Sequence, residues 1–190
     1  MKQYPVNLKI EYSEKSNKST ALFRLVLIIP IILILALISS YAEALSIAVA
    51  LMIIFKEKYP KWWFDWNIGI AKFANRAVAY GLLMRDEYPS TDEDQAIHID
   101  IPYPDVKKDL NRWMPLVKWI LVIPHIIVLL FIFIAVVFCS VFAWFAILFT
   151  GRYPKGIFDF VEGFLRWSLR VNAYAFILIT DEYPPFRLGE

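Results

Sequence analysis

Over 190 residues the chain is 59% hydrophobic and 17% aromatic, carries a formal net charge of +2 and has one cysteine, Cys139. Soluble domains sit nearer roughly 45–50% apolar, so the composition excludes a globule covered by polar side chains and requires lipid-facing surface. A lone cysteine excludes an internal disulfide framework, and so small a charge points away from nucleic acid as a partner.

The first predicted element is a short strand over residues 6–12, where "VNLKIEY" alternates apolar and polar side chains. A polar loop with Lys15, Lys18 and Arg24 leads into an apolar stretch, read as a membrane segment over residues 22–56. That exceeds the roughly 20 residues needed to cross a bilayer. It lacks the small-residue cleavage site of a signal peptide and follows a polar N-terminal segment instead of a short basic n-region. Tyr59-Pro60 closes this element and opens the next, because proline disfavours helix before it and tolerates the first helical turn after it. An amphipathic helix is predicted over residues 61–84, and Asp86-Glu87-Tyr88-Pro89 stops it. "STDEDQ" at Ser90–Gln95 reads as a solvated loop. The same order then returns: a strand over residues 97–103 ("IHIDIPY"), a membrane segment over 115–149, a Tyr153-Pro154 break, an amphipathic helix over 155–178 and Asp181-Glu182-Tyr183-Pro184.

The return is a duplication. Pro30 and Pro124, Phe55 and Phe149, Tyr59-Pro60-Lys61 and Tyr153-Pro154-Lys155, Gly69 and Gly163, Arg76 and Arg170, and Ala79-Tyr80 and Ala173-Tyr174 all stand 94 apart. One inserted residue brings the Asp-Glu-Tyr-Pro motifs into line. Many unlike residues in one register define two repeats, residues 1–90 and 91–190. "VKWILVIPHIIVLL" and "FAWFAILFTGRYPKGIFDFVEGFLRWSLRVNAYAFILITDEYPPF", with their weaker echo in the first half, resemble a family of bacterial membrane proteins built on a domain of unknown function. The first half departs from that pattern, with "FKEKYPKWWFDW" for the Thr-Gly-Arg-Tyr-Pro form and Ile31 where the second half has His125. The resemblance implies a membrane location and a bacterial source. It brings no activity, cofactor or catalytic residue.

Each apolar stretch of about 32 residues would run roughly 48 Å as one helix, against about 30 Å of hydrocarbon. Basic residues flank both ends: Lys15, Lys18 and Arg24 before the first and Lys56, Lys58 and Lys61 after it; Lys107, Lys108, Arg112 and Lys118 before the second and Arg152 and Lys155 after it. Positive charge marks the cytoplasmic side. The preferred expectation is therefore a transmembrane hairpin in each half, with "SSYAEA" at residues 39–44 as the first outer turn, Glu43 in water, and a pseudo-twofold axis along the membrane normal. One long helix per half is the alternative, because residues 133–138 ("FIAVVF") contain no turn former. Either way the fold class is mainly α and integral to the membrane.

On the amphipathic helices Asp65, Gly69, Lys72, Arg76 and Tyr80 share one face, as do Asp159, Gly163, Arg166, Arg170 and Tyr174. Glu162 lies four residues before Arg166, the spacing of a helical ion pair. Three roles compete for the stripe. Lys72, Arg76, Arg166 and Arg170 would anchor on anionic headgroups. Arg76 and Arg170 would pair with Asp65, Asp159 or the acids Asp86, Glu87, Asp181 and Glu182 and lock the halves together. Or the charges would line a pathway. The two glycines would allow a close helix crossing. His125, inside the second apolar stretch, is read as a packing residue, ahead of a proton relay or haem ligand. No catalytic constellation, metal-spaced set, cofactor loop or second intramembrane histidine stands out. The expected function is a non-enzymatic scaffold or accessory subunit, assembling with itself or a larger membrane complex. A transporter or channel and a lipid-binding protein are the alternatives. The expected location is the bacterial cytoplasmic (inner) membrane, multi-pass, with both termini cytoplasmic.

Overall fold

A computed structural model describes residues 4–189, the side chains of residues 39–44 excepted. The order is β1 (Asn7–Ile10), α1 (Lys18–Leu27), α2 (Ile29–Lys56), α3 (Lys61–Gly81), β2 (Ile97–Asp100), α4 (Val106–Asp109), α5 (Met114–Leu121), α6 (Ile123–Thr150) and α7 (Lys155–Ala175). The protein is mainly helical. Both strands are shorter than expected, and α3 and α7 end a few residues early. Their chains leave through Leu83 and Leu178, equivalent residues with left-handed φ of 67° and 62° that break the helical path.

The hairpins are absent. Each long helix runs unbroken for 28 residues, and residues 133–138 sit within α6. The proposed outer turn at residues 39–44 falls within helical backbone, and Glu43's side chain lies outside the described residues. Pro30 and Pro124 instead mark breaks at the other end. Each is the second residue of its long helix, where its missing N–H costs no bond, and a short helix precedes it. Together α5 and α6 form one helix long and apolar enough to cross a membrane, Met114–Thr150. In the first half, α1 and Ile29–Ile38 pass that test only as a pair bent by 43°.

The repeats grip each other reciprocally. β1 and β2 pair antiparallel, and the equivalent residues Leu8 and Ile99 face each other at the centre of the ladder. A pseudo-twofold axis therefore passes between them. Tyr12 of the first half donates to the Tyr153 carbonyl at 2.7 Å, and Tyr103 of the second donates to the Tyr59 carbonyl. Lys18 donates to the Phe149 carbonyl at the end of α6, while Arg112 donates to Ile54 O at the end of α2. Each cation thus meets carbonyls left open at the partner helix's C-terminus, where the helix dipole favours positive charge.

These contacts stack the chain in three layers. α1 runs antiparallel along the end of α6, with Ser16 N on Gly151 O and Trp144 Nε1 on Ala21 O; α5 lies likewise along the end of α2. Above them α3 and α7 lie antiparallel, joined by the Tyr59 hydroxyl donating to Ile177 O at 2.9 Å. The sheet crosses their middles, β1 on α7 and β2 on α3. The core lies between layers, and α7 is buried along most of its length. The outer layer is bare: Leu25 is 80% exposed and Phe138 72%.

Candidate functional site

Each repeat closes on a buried cation. Arg24, only 2% exposed, lies against Asp86 with Nη2–Oδ1 2.5 Å apart. Its Nη1 donates to the Arg85 carbonyl at 2.9 Å, and its guanidinium lies 3.9 Å from the centre of the Tyr80 ring. Asp86 is held from behind by the Asn17 N–H, at 2.7 Å, and by the Thr20 hydroxyl. Asn17 in turn caps α1 through Ser19 N.

The second half repeats this group with lysine. Lys118, 1% exposed, pairs with Asp181 at 2.7 Å and donates to the Thr180 carbonyl. Its ammonium sits 5.1 Å from the Tyr174 ring centre, and the Asn111 N–H donates to Asp181. Burial, and then the Asp181 charge, push the Tyr174 phenol above its ordinary pKa. Tyr80 meets Tyr88 edge to face, as Tyr174 meets Tyr183. Chemically each group is a charge clamp: a desolvated cation with one carboxylate, one carbonyl and one aromatic face. It ties the short helix before a long one to the exit of the amphipathic helix in the same repeat.

Arg24 and Lys118 were not singled out as site residues from the sequence, although they stand 94 apart, each six residues before its proline. That register was the available signal. The acids do meet cations, but Asp86 and Asp181 meet these two and not Arg76 or Arg170. Arg76 donates to Ser90 O at 2.7 Å. Arg166 donates to Leu8 O and Leu188 O and pairs with Glu162 at 3.2 Å, and Arg170 donates to Gly189 O. All three arginines are buried; of the four expected anchors Lys72 alone is exposed. Asp65 and Asp159 pair with Lys61 and Lys155 on their own helices, exposed to solvent. Glu87 pairs with Arg85 and accepts from Ala96 N. Burial raises its pKa, but those bonds and the Arg85 and Arg76 charges outweigh it and hold the carboxyl below the ordinary range. Glu182 receives the Tyr4 hydroxyl on its carbonyl.

His125 is fully buried beside the second clamp. Its Nδ1 accepts from Trp167 Nε1 at 3.1 Å, and its ring stacks on Phe186 at 3.9 Å. Accepting at Nδ1 leaves the proton of a neutral imidazole on Nε2. In the first half Ile31 packs on Phe73, the equivalent apolar pair. The histidine's surroundings are thus those of a core residue. Glycines 69 and 163 do not mark a helix crossing. A Cβ on Gly163 would meet Leu188 of the C-terminal segment at 2.8 Å, and one on Gly69 would meet nothing within 4 Å. Among the described residues no group of three or more His, Cys, Asp or Glu side chains is placed to hold a metal ion.

Between α3 and α7 lies a groove of about 540 Å³, closed at one point by Phe133 of α6. It lies on the side of those helices away from the sheet. No curated protein and no solved structure matches the chain. The repeats themselves do match: residues 18–91 and 112–187 each align with one copy of the domain of unknown function DUF4389, each span running from the start of a clamp to its closing acid and beyond. The chain therefore belongs to the DUF4389 family as a tandem pair of that domain.

Proposed function

We propose that this chain is a non-enzymatic membrane scaffold of the bacterial cytoplasmic membrane, inserted through the layer of α1, α2, α5 and α6. The observation that carries this is the bareness of that layer. Large apolar side chains stay exposed from Leu22 to Leu37 and from Leu116 to Phe149, far beyond the few hundred Å² of contiguous apolar patch a soluble monomer shows. The opposite, sheet face is polar, with Lys9, His98 and Asp100 along it. Both ends of each long apolar stretch carry basic residues, so insertion from one side, through the exposed layer, puts all of them at cytoplasmic headgroups without a hairpin. Arg166 joins the N-terminal strand to the C-terminal segment, which supports both termini on that side. The exposed phenylalanines of α6 supply contact area for a second copy or another membrane protein.

The test has two parts. In mild detergent the protein should run as an assembly larger than one chain; a lone monomer without co-purifying chains sinks the scaffold reading. In a Cys139→Ala background, single cysteines at Lys58, Asp94 and Lys155 should all label from the cytoplasmic side. Labelling of Lys58 and Lys155 from opposite sides would mean that each long helix crosses the bilayer.

A further inference from the structure

We propose that the groove between α3 and α7 seats one acyl chain of a bilayer glycerolipid; this deepens the membrane reading and rests on it. The volume, about 540 Å³, falls within the roughly 300–1,000 Å³ of ligand pockets, which are mostly apolar with a few placed polar groups. Ala74, Val78, Phe133, Phe164 and Leu169 give the groove its apolar wall. No residue of the sheet lines it, while Phe133 near the middle of α6 does. It therefore opens toward the bare apolar layer, where alkyl chains are the solvent. It also lies between the two helices that the pseudo-twofold axis relates, so both repeats build it.

The polar lining selects the kind of lipid part. Among the described residues Asn67, Asn75, Ser168 and Asn172 are the hydrogen-bonding side chains, and none of the described lining side chains is charged. Asn67 spends one amide hydrogen on the Tyr59 hydroxyl, and Asn75 spends one on Ala71 O. Each carboxamide retains an oxygen and a second N–H. Such a set suits the uncharged ester region at the top of an acyl chain. It leaves a free carboxylate without a cation, so a fatty acid is the wrong occupant.

The experiment reconstitutes the full chain in phosphatidylethanolamine–phosphatidylglycerol vesicles carrying a diazirine in the acyl chain, irradiates them and maps the adducts. Adducts should concentrate within residues 67–78 and 164–177 over the outer face of α6 around Phe138. Ala74→Trp, which fills the groove, should lower them about tenfold, and Leu130→Ala on the outer face should not. A diazirine fatty acid should compete poorly. Adducts spread evenly over the exposed layer, or unchanged in Ala74→Trp, overturn the proposal. If that variant does not fold, the distribution on the wild-type chain decides alone. Protein that fails to float with the vesicles overturns the membrane reading and the groove together; protein that floats without groove adducts overturns the groove alone.

Discussion

Lys118 and Asp181 are unequal partners, and the inequality is measurable. The lysine is 1% exposed, whereas the aspartate side chain keeps 21% of its surface. Removing the acid strands a buried cation on a single carbonyl, and breaking a buried pair this way costs about 3–5 kcal/mol. Removing the cation leaves a carboxylate that water still reaches. Asp181→Ala should therefore destabilise more than Lys118→Met in denaturant titrations in detergent; the reverse order would show that the clamp is not governed by desolvation. In the first repeat the Arg24 guanidinium lies closer to its ring, 3.9 Å against 5.1 Å for Lys118, and serves its two acceptors from separate nitrogens, so Arg24→Lys is not conservative. Acid sensitivity enters at Glu87. Its depressed pKa contributes stability above the ordinary value of 4.5, lost as the pH falls below it. Glu87→Gln should flatten the melting temperature between pH 5 and pH 3, roughly the range where glutamates titrate. The Tyr59 phenol behaves oppositely. Burial pushes it up to about 12, despite the Asn67 hydrogen bond. Its contribution is whole below the unfolded tyrosine value of 10.0 and is lost as the pH rises toward 12, so stability should fall across that window.

At the scale of elements, the ends of the long helices carry the next prediction. α2 and α6 stop at equivalent left-handed residues, Glu57 with φ 48° and Gly151 with φ 73°. Glycine takes that conformation freely, whereas a residue with Cβ pays about 1–2 kcal/mol. Gly151→Ala should lose about that much, and its Cβ would also press Lys18 at 3.3 Å. Glu57→Gly should gain stability, less the exposed pair with Arg112, which is worth about 1 kcal/mol at most. A melting temperature that falls in both variants would remove left-handed strain as the cause. The sequence carried much of this level. Alternation gave the strands, the 94-residue register gave the repeats, and Tyr-Pro gave the starts of α3 and α7. It misled at the apolar stretches, because basic residues at both ends read as a hairpin signal, whereas the backbone continues as helix through residues 39–44 and 133–138. It was silent on the clamps because Arg24 and Asp86 lie 62 residues apart and nothing local joins them. The buried arginines escaped for a related reason. A helical face facing water and one facing a strand of the other repeat have the same period.

The whole molecule is a pseudo-dimer in one chain, and its stability should be shared. β1 belongs to the first repeat yet lies on α7, where Arg166 Nε reaches Leu8 O at 2.9 Å and Ile10 N donates to Glu162 at 2.8 Å. β2 belongs to the second repeat yet lies on α3. Leu8 is fully buried at the centre of the ladder, opposite Ile99. Truncating such a leucine costs about 2–5 kcal/mol, and here the cavity opens under both repeats. Leu8→Ala should therefore speed amide exchange in α7, which it touches, and also in α3, which it reaches only through β2. Exchange is the right probe because it resolves opening free energies segment by segment. In a chain of two independent domains the effect would stop at one repeat. In this one the sheet holds the only paired strands among the described residues, and each strand leans on the other half's helix. Loosening one side of the ladder should release both helices together, and an effect confined to α7 would mean that the repeats stand without each other.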